Sequence, residues 1–388
     1  MPKPSLAERT PTLVTDPPLQ PPPSALDRDG LRRRVDQALE TLLERQLGDI
    51  GFLGDELAPV AAALRQFVLR GGKRIRPAFV YWGYRGAGGA GGPAADPVVL
   101  AACAVELLHA CALIHDDIMD ASRVRRGQPS VHVRFADLHQ SSRWRGEPEP
   151  FGEGAAILMG DLAFTWADAA LTGSGLAPER LVAALEVFNV LRSEMMGGQY
   201  LDLVGAQRGE LDEAAVHRVL IYKSGKYTVE RPLHMGATMG APAASADGGT
   251  RLDALRATYS AYGVPLGEAF QLRDDVLGVF GAPEVTGKPA GDDLREGKET
   301  YLILRTRQRS GPAGRRLLES SLGDAKLSDD AVEALRALIT DCGALDQTEA
   351  RITTLVDQAR QALAADGLGP EARAALDELA VLVTDRDA

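Results

Sequence analysis

The stretch that decides the fold is PVVLAACAVELLHACALIHDDIMD, residues 97–120. Residues 97–114 are almost entirely apolar, and three aspartates follow them. Glu106 and His109 interrupt the apolar run at places where a membrane span would tolerate neither well. The run therefore predicts a buried helix of a globular protein rather than a transmembrane segment.

Apolar residues recur at helical spacing on both sides of this stretch. Leu31, Val35 and Leu39 open the periodic region, and the same period continues almost to the C-terminus. Glycine and proline clusters interrupt it, and strand-like alternation is nearly absent. Because no linker or change of composition divides residues 27–388, the pattern predicts one all-α domain, a bundle of about a dozen helices.

Two segments depart from this pattern. Residues 1–26 are rich in proline and contain too few apolar residues to pack, so we expect a disordered tail. Residues 134–154 are polar and contain two prolines. They are predicted to form a loop or a short irregular helix between longer helices.

Composition narrows the function before any motif is considered. The chain has 388 residues, 43 basic against 54 acidic, and a net charge of −11. This charge disfavours nucleic acid and anionic membrane surfaces as partners. Its three cysteines match no zinc-binding spacing and are expected to be reduced thiols. The start of the chain lacks the pattern of a secretory signal, so a cytoplasmic location is expected.

The aspartates of HDDIMD, residues 115–120, indicate a metal site. On a helix Asp116 and Asp120 share one face, one turn apart, so their charges repel each other. A compensating cation explains such a pair at the end of an apolar helix, although a solvated acidic helix end would show the same residues. Magnesium fits best, because it prefers oxygen ligands and usually joins one or two carboxylates to substrate phosphates.

A second aspartate pair, Asp274 and Asp275, follows another apolar stretch in QLRDDVLG, residues 271–278. Two such helices that face one cavity would hold a cluster of divalent ions between them. The position four residues after Asp274 is Gly278, which has no side chain to bind a metal. The second site is therefore predicted to be poorer in protein ligands than the first.

Basic clusters supply the charge that a phosphate ligand needs. Each cluster by itself could be a solvated surface charge, but their occurrence around two aspartate pairs favours an anion site. The first cluster follows two glycines and precedes a proline, which suits a phosphate-binding entry into a helix. The clusters are RGGKRIRP at residues 70–77 with Lys73, Arg74 and Arg76, then Arg125 and Arg126, and then YKSGKYT at 222–228 with Lys223 and Lys226.

In this order the motifs resemble those of the trans-isoprenyl diphosphate synthases, the family that contains farnesyl and geranylgeranyl diphosphate synthases. The resemblance covers roughly residues 65–305, and it implies an all-α bundle around a central cavity. It also implies a magnesium-dependent prenyltransferase that condenses isopentenyl diphosphate with allylic diphosphates, acting as a homodimer. The motifs are GGKRIRP, ELLHACALIHDDIMDASRVRRGQPSVH, MGD, GQYLDL, YKSGKYT, FQLRDDVLGVFG and GKPAGDDLREGKET.

The resemblance also implies roles for single residues. Asp116 and Asp120 would bind two Mg²⁺ ions, with Asp117 between them, and Asp274, with Asp275 behind it, would bind a third. The isopentenyl diphosphate would lie against Lys73, Arg76, His109 and Arg126, and the allylic diphosphate against Arg125, Lys223 and Lys288. Further substrate contacts are expected from Ser224, which stands where the family usually has threonine, and from Gln271 and Lys298, with Gln199 near the reacting carbons and Asp202 after it.

Product length is predicted from the helix that carries the first aspartates. One helical turn rises about 5.4 Å, roughly one isoprene unit, so Cys111 and Ala112 would lie just beneath the allylic tail. Both are small, so the aromatic floor that limits synthases to farnesyl diphosphate is absent. Leu108, one turn deeper, is the next candidate floor, which favours a product of about twenty carbons, geranylgeranyl diphosphate. A farnesyl or longer-chain product is the alternative if partner helices set the depth.

Other functions fit the motifs less well. A class I terpene cyclase shares the first motif and the fold, but it normally has an Asn/Ser/Glu metal triad instead of a second aspartate pair. A cyclase does not need the GGKRIRP pocket for a second diphosphate, and a head-to-head synthase that makes squalene or phytoene would lack that pocket. A non-catalytic partner subunit commonly loses aspartates of the first motif, and here all three are intact. His115 is expected to be a packed histidine rather than a metal ligand, because Mg²⁺ prefers oxygen.

Overall fold

The structure is a computed structural model that describes residues 24–70, 72–208, 212–241, 246–282, 291–365 and 367–385, with the backbone alone at 246–248. Within these ranges nearly every regular element is a helix, so the all-α class is confirmed. The first half contains α1 (Leu31–Ile50), α2 (Ala58–Leu69), α3 (Ile75–Gly86), α4 (Asp96–Met119), β1 (Val124–Arg125), β2 (Gln128–Pro129), α5 (Val131–Ser141), α6 (Pro148–Thr172) and α7 (Pro178–Arg208).

The second half begins with α8 and a π-helix, the rarer form in which each turn is wider than in an α-helix. The elements are α8 (Glu213–Val219), the π-helix (Leu220–Glu230), α9 (Arg231–Gly240), α10 (Ala246–Phe280), α11 (Asp292–Glu296), α12 (Tyr301–Arg309), α13 (Pro312–Ser321), α14 (Asp329–Asp341), α15 (Ala344–Ala362) and α16 (Pro370–Thr384). Short 3₁₀ helices lie at Arg28–Gly30, Gly51–Leu53, Asp55–Leu57 and Gly92–Ala95.

Helix α4 is buried at the centre of the bundle, as the apolar run predicts. Cys103, Leu107 and Leu108 are fully buried, and the helix packs against α1, α3 and α6. By length and composition two helical stretches, Gly92–Met119 and Pro148–Thr172, could also cross a membrane. In the first of them, however, 72% of the apolar window is buried inside the fold, as in the core helix of a globular protein.

The segment 134–154 is more regular than its polar composition suggests. Helix α5 extends to Ser141 and α6 begins at Pro148, so the predicted loop is confined to residues 142–147. Pro148 is tolerated at the start of α6, because the first helical turn needs no backbone N–H donor. The polar residues cover the outer face of α5, while Val131 and Phe135 are buried on its inner face.

Packing begins before residue 27, the predicted start of the folded region. Ala25 and Leu26 are buried, and the Ala25 backbone nitrogen donates to Glu378 of α16 at 2.6 Å. The carbonyl of Ala25 accepts a hydrogen bond from Trp82 of α3 at 2.9 Å. These contacts place residues 24–26 with the folded region, whereas residues 1–23 of the expected tail lie outside the described residues.

A small second hydrophobic cluster joins the end of α10 to helices α11–α14. Val279 of α10 packs there with Leu294, Leu302 and Leu335, all fully buried or nearly so. This cluster holds α11 and the residues that follow it beside the second aspartate motif.

Candidate active site

Helices α4, α7 and α10 and the π-helix enclose a cavity of about 810 Å³. Part of its lining is apolar and part is charged. We call the charged part formed by Asp116, Arg125, Lys223, Asp274, Asp293 and Lys298 the mouth. The site residues that these four elements contribute to the lining are His109, Cys111, Ala112, His115 and Asp116 of α4, Gln199 and Asp202 of α7, Lys223, Ser224 and Tyr227 of the π-helix, and Gln271, Asp274 and Asp275 of α10.

Asp116 and Asp120 stand one turn apart at the C-terminal end of α4. Asp116 accepts hydrogen bonds from the Gln199 amide at 2.8 Å and from the Lys223 ammonium at 3.3 Å. Burial opposes ionisation of Asp116, but Lys223 and neighbouring cations outweigh it and lower the pKa to about 2. Burial and the Asp116 charge raise the pKa of Asp120 to about 6. The repulsion expected from the spacing is therefore present, and its effect appears on Asp120.

Of the three aspartates only Asp116 lines the cavity, whereas Asp117 and Asp120 do not. The fully buried carboxylate of Asp117 accepts a hydrogen bond from Arg125 Nε at 2.9 Å and a second one from Arg125 Nη2. Arg125 does line the cavity and comes within 4.0 Å of Asp116. In this structure Asp117 therefore contacts Arg125 and orients its guanidinium.

The adjacent Arg125 and Arg126 diverge because they belong to a tight hairpin. Strands β1 and β2 pair antiparallel, and Arg126 and Gly127 form the turn with φ angles of 54° and 69°, the signature of a type I′ turn. Arg126 donates to the carbonyls of Phe67 at 3.2 Å and Arg70 at 2.9 Å, at the end of α2. In this structure it does not line the cavity, and its expected role in binding isopentenyl diphosphate stays a prediction.

The π-helix carries the cation nearest to the first motif. Lys223 lies 2.5 Å from Asp202 and 3.3 Å from Asp116, so it joins α7 to the end of α4. These two carboxylates raise the pKa of Lys223 against the opposing effect of burial, and the ammonium stays charged. Ser224, beside it, is buried and lines the cavity with its hydroxyl-bearing side chain.

Glycines bring α7 and α10 unusually close to the π-helix. A Cβ added to Gly198 of α7 would overlap the backbone nitrogen of Lys223. One added to Gly267 of α10 would lie 2.5 Å from the carbonyl oxygen of Gly225. These backbone contacts allow side chains of all three elements to reach the same cavity.

The two aspartates of the second motif lie in different environments. Asp274 and Asp275 both line the cavity, but Asp275 is only 5% exposed and accepts a hydrogen bond from Gln271 at 2.8 Å. Burial, together with the charges of Asp293 and Asp274, raises the pKa of Asp275 to about 8. Asp275 is therefore mostly protonated at neutral pH, which leaves Asp274 as the carboxylate suited to a metal.

The carboxylate that Gly278 lacks is supplied from another helix. A Cβ added to Gly278 would overlap the carboxylate of Asp293, the second residue of α11, and Asp293 lines the cavity. Asp293 fills the space that Gly278 leaves open, and the prediction that the second site is poorer in protein ligands stays a prediction.

Lys73, Arg76 and His109 form a separate corner of the cavity lining. The Arg76 guanidinium donates to Tyr227 at 2.8 Å and to Thr228 at 3.0 Å, and lies over the Tyr227 ring. The Tyr227 hydroxyl is 3.2 Å from His109 Nδ1. Burial and the Arg76 charge lower the pKa of His109 well below its usual range, so the imidazole is neutral. The corner combines fixed positive charge with a neutral ring.

Arg74 orients this corner from outside the cavity. Its backbone is left-handed at the N-cap of α3, with φ 57°, a conformation that costs a residue with a side chain roughly 1–2 kcal/mol. Its buried guanidinium donates to Asp36 at 2.7 Å, to Glu106 at 3.0 Å and to the Val68 carbonyl at 2.9 Å. These bonds stabilise the turn between Lys73 and Arg76, which both line the cavity.

The depth of the cavity follows the prediction only in part. Cys111 and Ala112 line it below the first aspartates. Leu108 does not, because its side chain is fully buried among the core helices. The expectation that Leu108 forms the floor is therefore not met in this structure. Burial raises the pKa of Cys111 to about 12, so its thiol stays protonated.

His115 is packed, as expected, although it touches the cavity. Its ring lies against Gly160 of α6, where an added Cβ would overlap it. Its Nε2 atom is 3.1 Å from the carbonyl oxygen of Ile157. The imidazole therefore makes a contact between α4 and α6.

Several lining residues escaped the sequence analysis. Tyr227 lies in the quoted motif YKSGKYT, four residues after Lys223, and that helical spacing could have identified it. Met195, Met196 and Phe270 carry no motif that marks them. Lys298 lines the cavity, whereas Lys288 lies outside the described residues.

The mouth suits a divalent ion that arrives with other ligands. Among the described residues, no three Asp, Glu, His or Cys side chains are grouped closely enough to hold a metal by themselves. Within the same residues, the Asp120 Oδ2 atom is buried and accepts no hydrogen bond, although Lys298 lies 3.4 Å away. Mg²⁺ usually takes one or two carboxylates and completes its shell with phosphate oxygens and water. The residues present therefore fit Mg²⁺ bound together with a phosphate ligand.

Residues 58–339 match the family model described as polyprenyl synthetase. A geranylfarnesyl diphosphate synthase of Aeropyrum pernix is 33% identical over 307 residues, 78% of this chain and 86% of that protein. A geranylgeranyl diphosphate synthase of Methanosarcina mazei is 31% identical over 315 residues, with 80% and 86% covered. The crystal structure of a Corynebacterium glutamicum geranylgeranyl pyrophosphate synthase, complexed with isoprenyl diphosphate and magnesium, superposes with a TM-score of 0.86 at 37% identity and covers 92% of this chain and 99% of that chain.

Proposed function

This chain belongs to the polyprenyl synthetase family, and we propose that it is a magnesium-dependent trans-prenyltransferase that joins isopentenyl diphosphate head-to-tail to an allylic diphosphate. The observation that carries the proposal is the mouth of the cavity. There the helices of Asp116 and Asp274 meet Lys223 and Arg125 above an apolar interior. Such a site can hold a diphosphate at its mouth and a prenyl chain below it.

The mechanism follows from where charge develops. Bound Mg²⁺, proposed as three ions held by Asp116, Asp120 and Asp274, would take up the negative charge that grows on the departing diphosphate. The positive charges of Arg125 and Lys223 would stabilise the same negative charge on the departing diphosphate, and they assist ionisation of the allylic carbon–oxygen bond.

The second substrate would bind in the corner of Lys73, Arg76 and His109. The positive side chains hold its diphosphate, so that its double bond can attack the allylic cation. The proton lost afterwards passes to the released diphosphate in our proposal. The lining of Phe270 and Gln271 keeps water from the cation, which would otherwise end as an alcohol.

A product of about twenty carbons agrees with the small residues Cys111 and Ala112 below the first motif. The relatives named above make products of different length by their names, so family membership alone leaves this open. Farnesyl or longer products are the alternatives that the assay must separate.

We further propose a cytoplasmic homodimer. Several large apolar side chains are exposed on α6 and α7, among them Ile157, Leu158, Val182 and Val190. Exposed apolar clusters of this kind mark protein interfaces, and a two-fold axis would let the same face cover itself. The cysteines described are free thiols, which suits a reducing compartment.

The test is incubation of the purified protein with isopentenyl diphosphate and, separately, dimethylallyl, geranyl and farnesyl diphosphates, with Mg²⁺ or with EDTA, and mass spectrometry of the products. We expect elongation only with Mg²⁺ and a product that ends near twenty carbons. The Asp116→Asn variant should lose activity by about 10²-fold or more, because it removes a metal ligand and charge at the reacting diphosphate. A cyclic hydrocarbon, or no elongation from any primer, would overturn the proposal.

A further inference from the structure

Glu106 is a buried carboxylate that the proposed reaction does not use. It lies in the apolar part of α4, and only 7% of the residue is exposed. Its Oε2 atom accepts a hydrogen bond from Arg74 Nη1 at 3.0 Å, and the Arg74 side chain is 4% exposed. A buried ion pair is often no more stabilising than apolar residues of similar size. Stability alone is therefore a weak reason for this pair in the core.

The Arg74 guanidinium has an acceptor at each of its three nitrogen atoms. Nη1 donates to Glu106, Nε donates to Asp36 at 2.7 Å, and Nη2 donates to the Val68 carbonyl at 2.9 Å. The same group lies against Gly72, where an added Cβ would be 2.6 Å from Nη1. The guanidinium is therefore held in one position, and the turn that precedes α3 is folded around it.

This turn carries two charged side chains of the cavity corner. Lys73 lies directly before Arg74 and Arg76 lies two residues after it, and both line the cavity. The Arg74 backbone is left-handed, with φ 57°, a conformation that is unfavourable for a residue with a side chain. The bonds of the guanidinium offset this cost, so the path of the chain from Lys73 to Arg76 depends on them.

Helix α4 reaches the same corner at a second point. His109 lies three residues after Glu106, on the same face of the helix. Its Nδ1 atom is 3.2 Å from the Tyr227 hydroxyl, which accepts a hydrogen bond from Arg76 at 2.8 Å. One face of α4 therefore holds Arg74 directly and Arg76 through Tyr227.

We propose that Glu106 is a positioning residue for the diphosphate of isopentenyl diphosphate. It acts through Arg74, which fixes the turn and thereby the distance between Lys73 and Arg76. The inference rests on the proposed function, which places that diphosphate in the corner. Glu106 itself does not line the cavity, so its effect is confined to this substrate and does not extend to the allylic diphosphate at the mouth.

The test is the Glu106→Gln variant of the full chain, assayed with Mg²⁺ while isopentenyl diphosphate and geranyl diphosphate are varied in turn. Gln keeps the size of the side chain and removes its charge. We expect the KM for isopentenyl diphosphate to rise about tenfold, because a small misplacement of binding groups is enough for such a loss. The KM for geranyl diphosphate and kcat should change little. A corner that acted only through its net charge would instead show a lower KM for isopentenyl diphosphate, because a negative charge is removed.

Two further variants separate positioning from stability. The double change Arg74→Met with Glu106→Leu leaves neither charge of the pair buried alone, so its thermal unfolding should lie closer to that of wild type than the unfolding of Glu106→Gln. Its KM for isopentenyl diphosphate should still be raised. Asp36→Asn weakens the same guanidinium contact from a half-exposed position, and it should raise that KM even if Glu106→Gln does not fold.

Glu378→Gln is the matched control. Glu378 forms an ion pair with Arg28 at 2.6 Å, and neither residue lines the cavity. The control should lower stability and leave both KM values unchanged, because it removes a charge that has no part in the corner.

Two results would overturn the inference. One is a folded Glu106→Gln protein, or Asp36→Asn protein in its place, whose KM for isopentenyl diphosphate is unchanged or lower. The other is a double variant whose KM returns to the wild-type value. With an active wild type, either result refutes this inference alone. A wild type without prenyl transfer refutes the proposed function, and calorimetry with isopentenyl diphosphate alone then decides the inference, which fails as well unless wild type binds more tightly than Glu106→Gln.

Discussion

Asp116 and Asp120 carry the same side chain on the same helix face, yet their pKa values shift in opposite directions. Burial acts on both, but Lys223 lies within 3.3 Å of Asp116 and lowers its pKa to about 2. Asp120 experiences the charge of Asp116, and its pKa rises to about 6. At the scale of single residues, charged neighbours from other helices therefore determine the pKa of each aspartate in the motif.

The first prediction concerns Cys111, which lines the cavity below the first motif. Cys111→Phe should shorten the main product by at least one isoprene unit, because the ring would fill the space of the growing tail. Mass spectrometry of the products from geranyl diphosphate measures this.

Cys111→Ser serves as the control for that change, since it has nearly the size of the native residue, and it should leave the product spectrum unchanged. An unaltered spectrum in the folded Cys111→Phe protein would show that another wall sets the length.

The second prediction uses the neutral His109. Because burial and Arg76 hold the pKa of His109 below its unfolded value, the unfolded chain binds the extra proton first as the pH falls below about 6.5. Stability should therefore decline from pH 7 to pH 5, and His109→Gln should remove up to about 1.4 kcal/mol of that decline per pH unit. Urea unfolding of both proteins at pH 7 and pH 5 measures the difference, and equal declines would contradict this account.

At the scale of elements, the π-helix is the unit that gathers the site. Its backbone touches α7 at Gly198 and α10 at Gly267, with no room for a Cβ at either glycine. Lys223 and Tyr227 thereby face the cavity together with residues of both neighbouring helices. The close approach is a property of three helices and depends on small residues in two of them.

The third prediction follows from this contact. Gly267→Ala should lower the free energy of unfolding by about 1–3 kcal/mol, because the methyl group must separate α10 from the π-helix. The same change should lower the rate of prenyl transfer more than it weakens substrate binding. Gly249→Ala, at an open and exposed position of the same helix, should be neutral or slightly stabilising, by less than about 1 kcal/mol. Thermal unfolding compares the two, and a Gly267→Ala protein as stable as the Gly249→Ala control would refute the packing argument.

At the scale of the whole molecule, α6 and α7 carry several of the large apolar side chains that the single chain leaves exposed among the described residues. Leu158 is 65% exposed and Ile157 is 46% exposed on the same helix. Such side chains are stable in water mainly when another surface covers them.

The fourth prediction is that Leu158→Glu converts the proposed homodimer to monomers, because a charge on the two-fold face meets its own copy. Sedimentation velocity measures the change. Leu53→Glu is the matched control, since Leu53 is 62% exposed on a different part of the chain, between α1 and α2, and it should leave the oligomeric state unchanged. A wild-type chain that sediments as a monomer would end the dimer proposal.

The sequence by itself determined the helical class and the burial of residues 97–114, and its motifs, by their resemblance to a known family, implied a shared cavity. Periodicity and charge are local properties, so they can be recognised in the sequence without knowledge of the fold. The prediction of a loop or short irregular helix over residues 134–154 was wrong for most of the segment. Its polar residues lie on the outer face of α5, whereas Phe135 is buried on the other face.

Only the tertiary structure decided which way each predicted side chain points. A hairpin directs Arg126 away from Arg125 and toward the end of α2. Asp117 accepts hydrogen bonds from Arg125, and Leu108 is buried in the core. Asp293 reaches the space at Gly278 because a separate hydrophobic cluster holds α11 beside α10. These outcomes depend on contacts between residues far apart in the chain, and the physical reason is that packing and close backbone approach are set by the assembled helices rather than by any one segment.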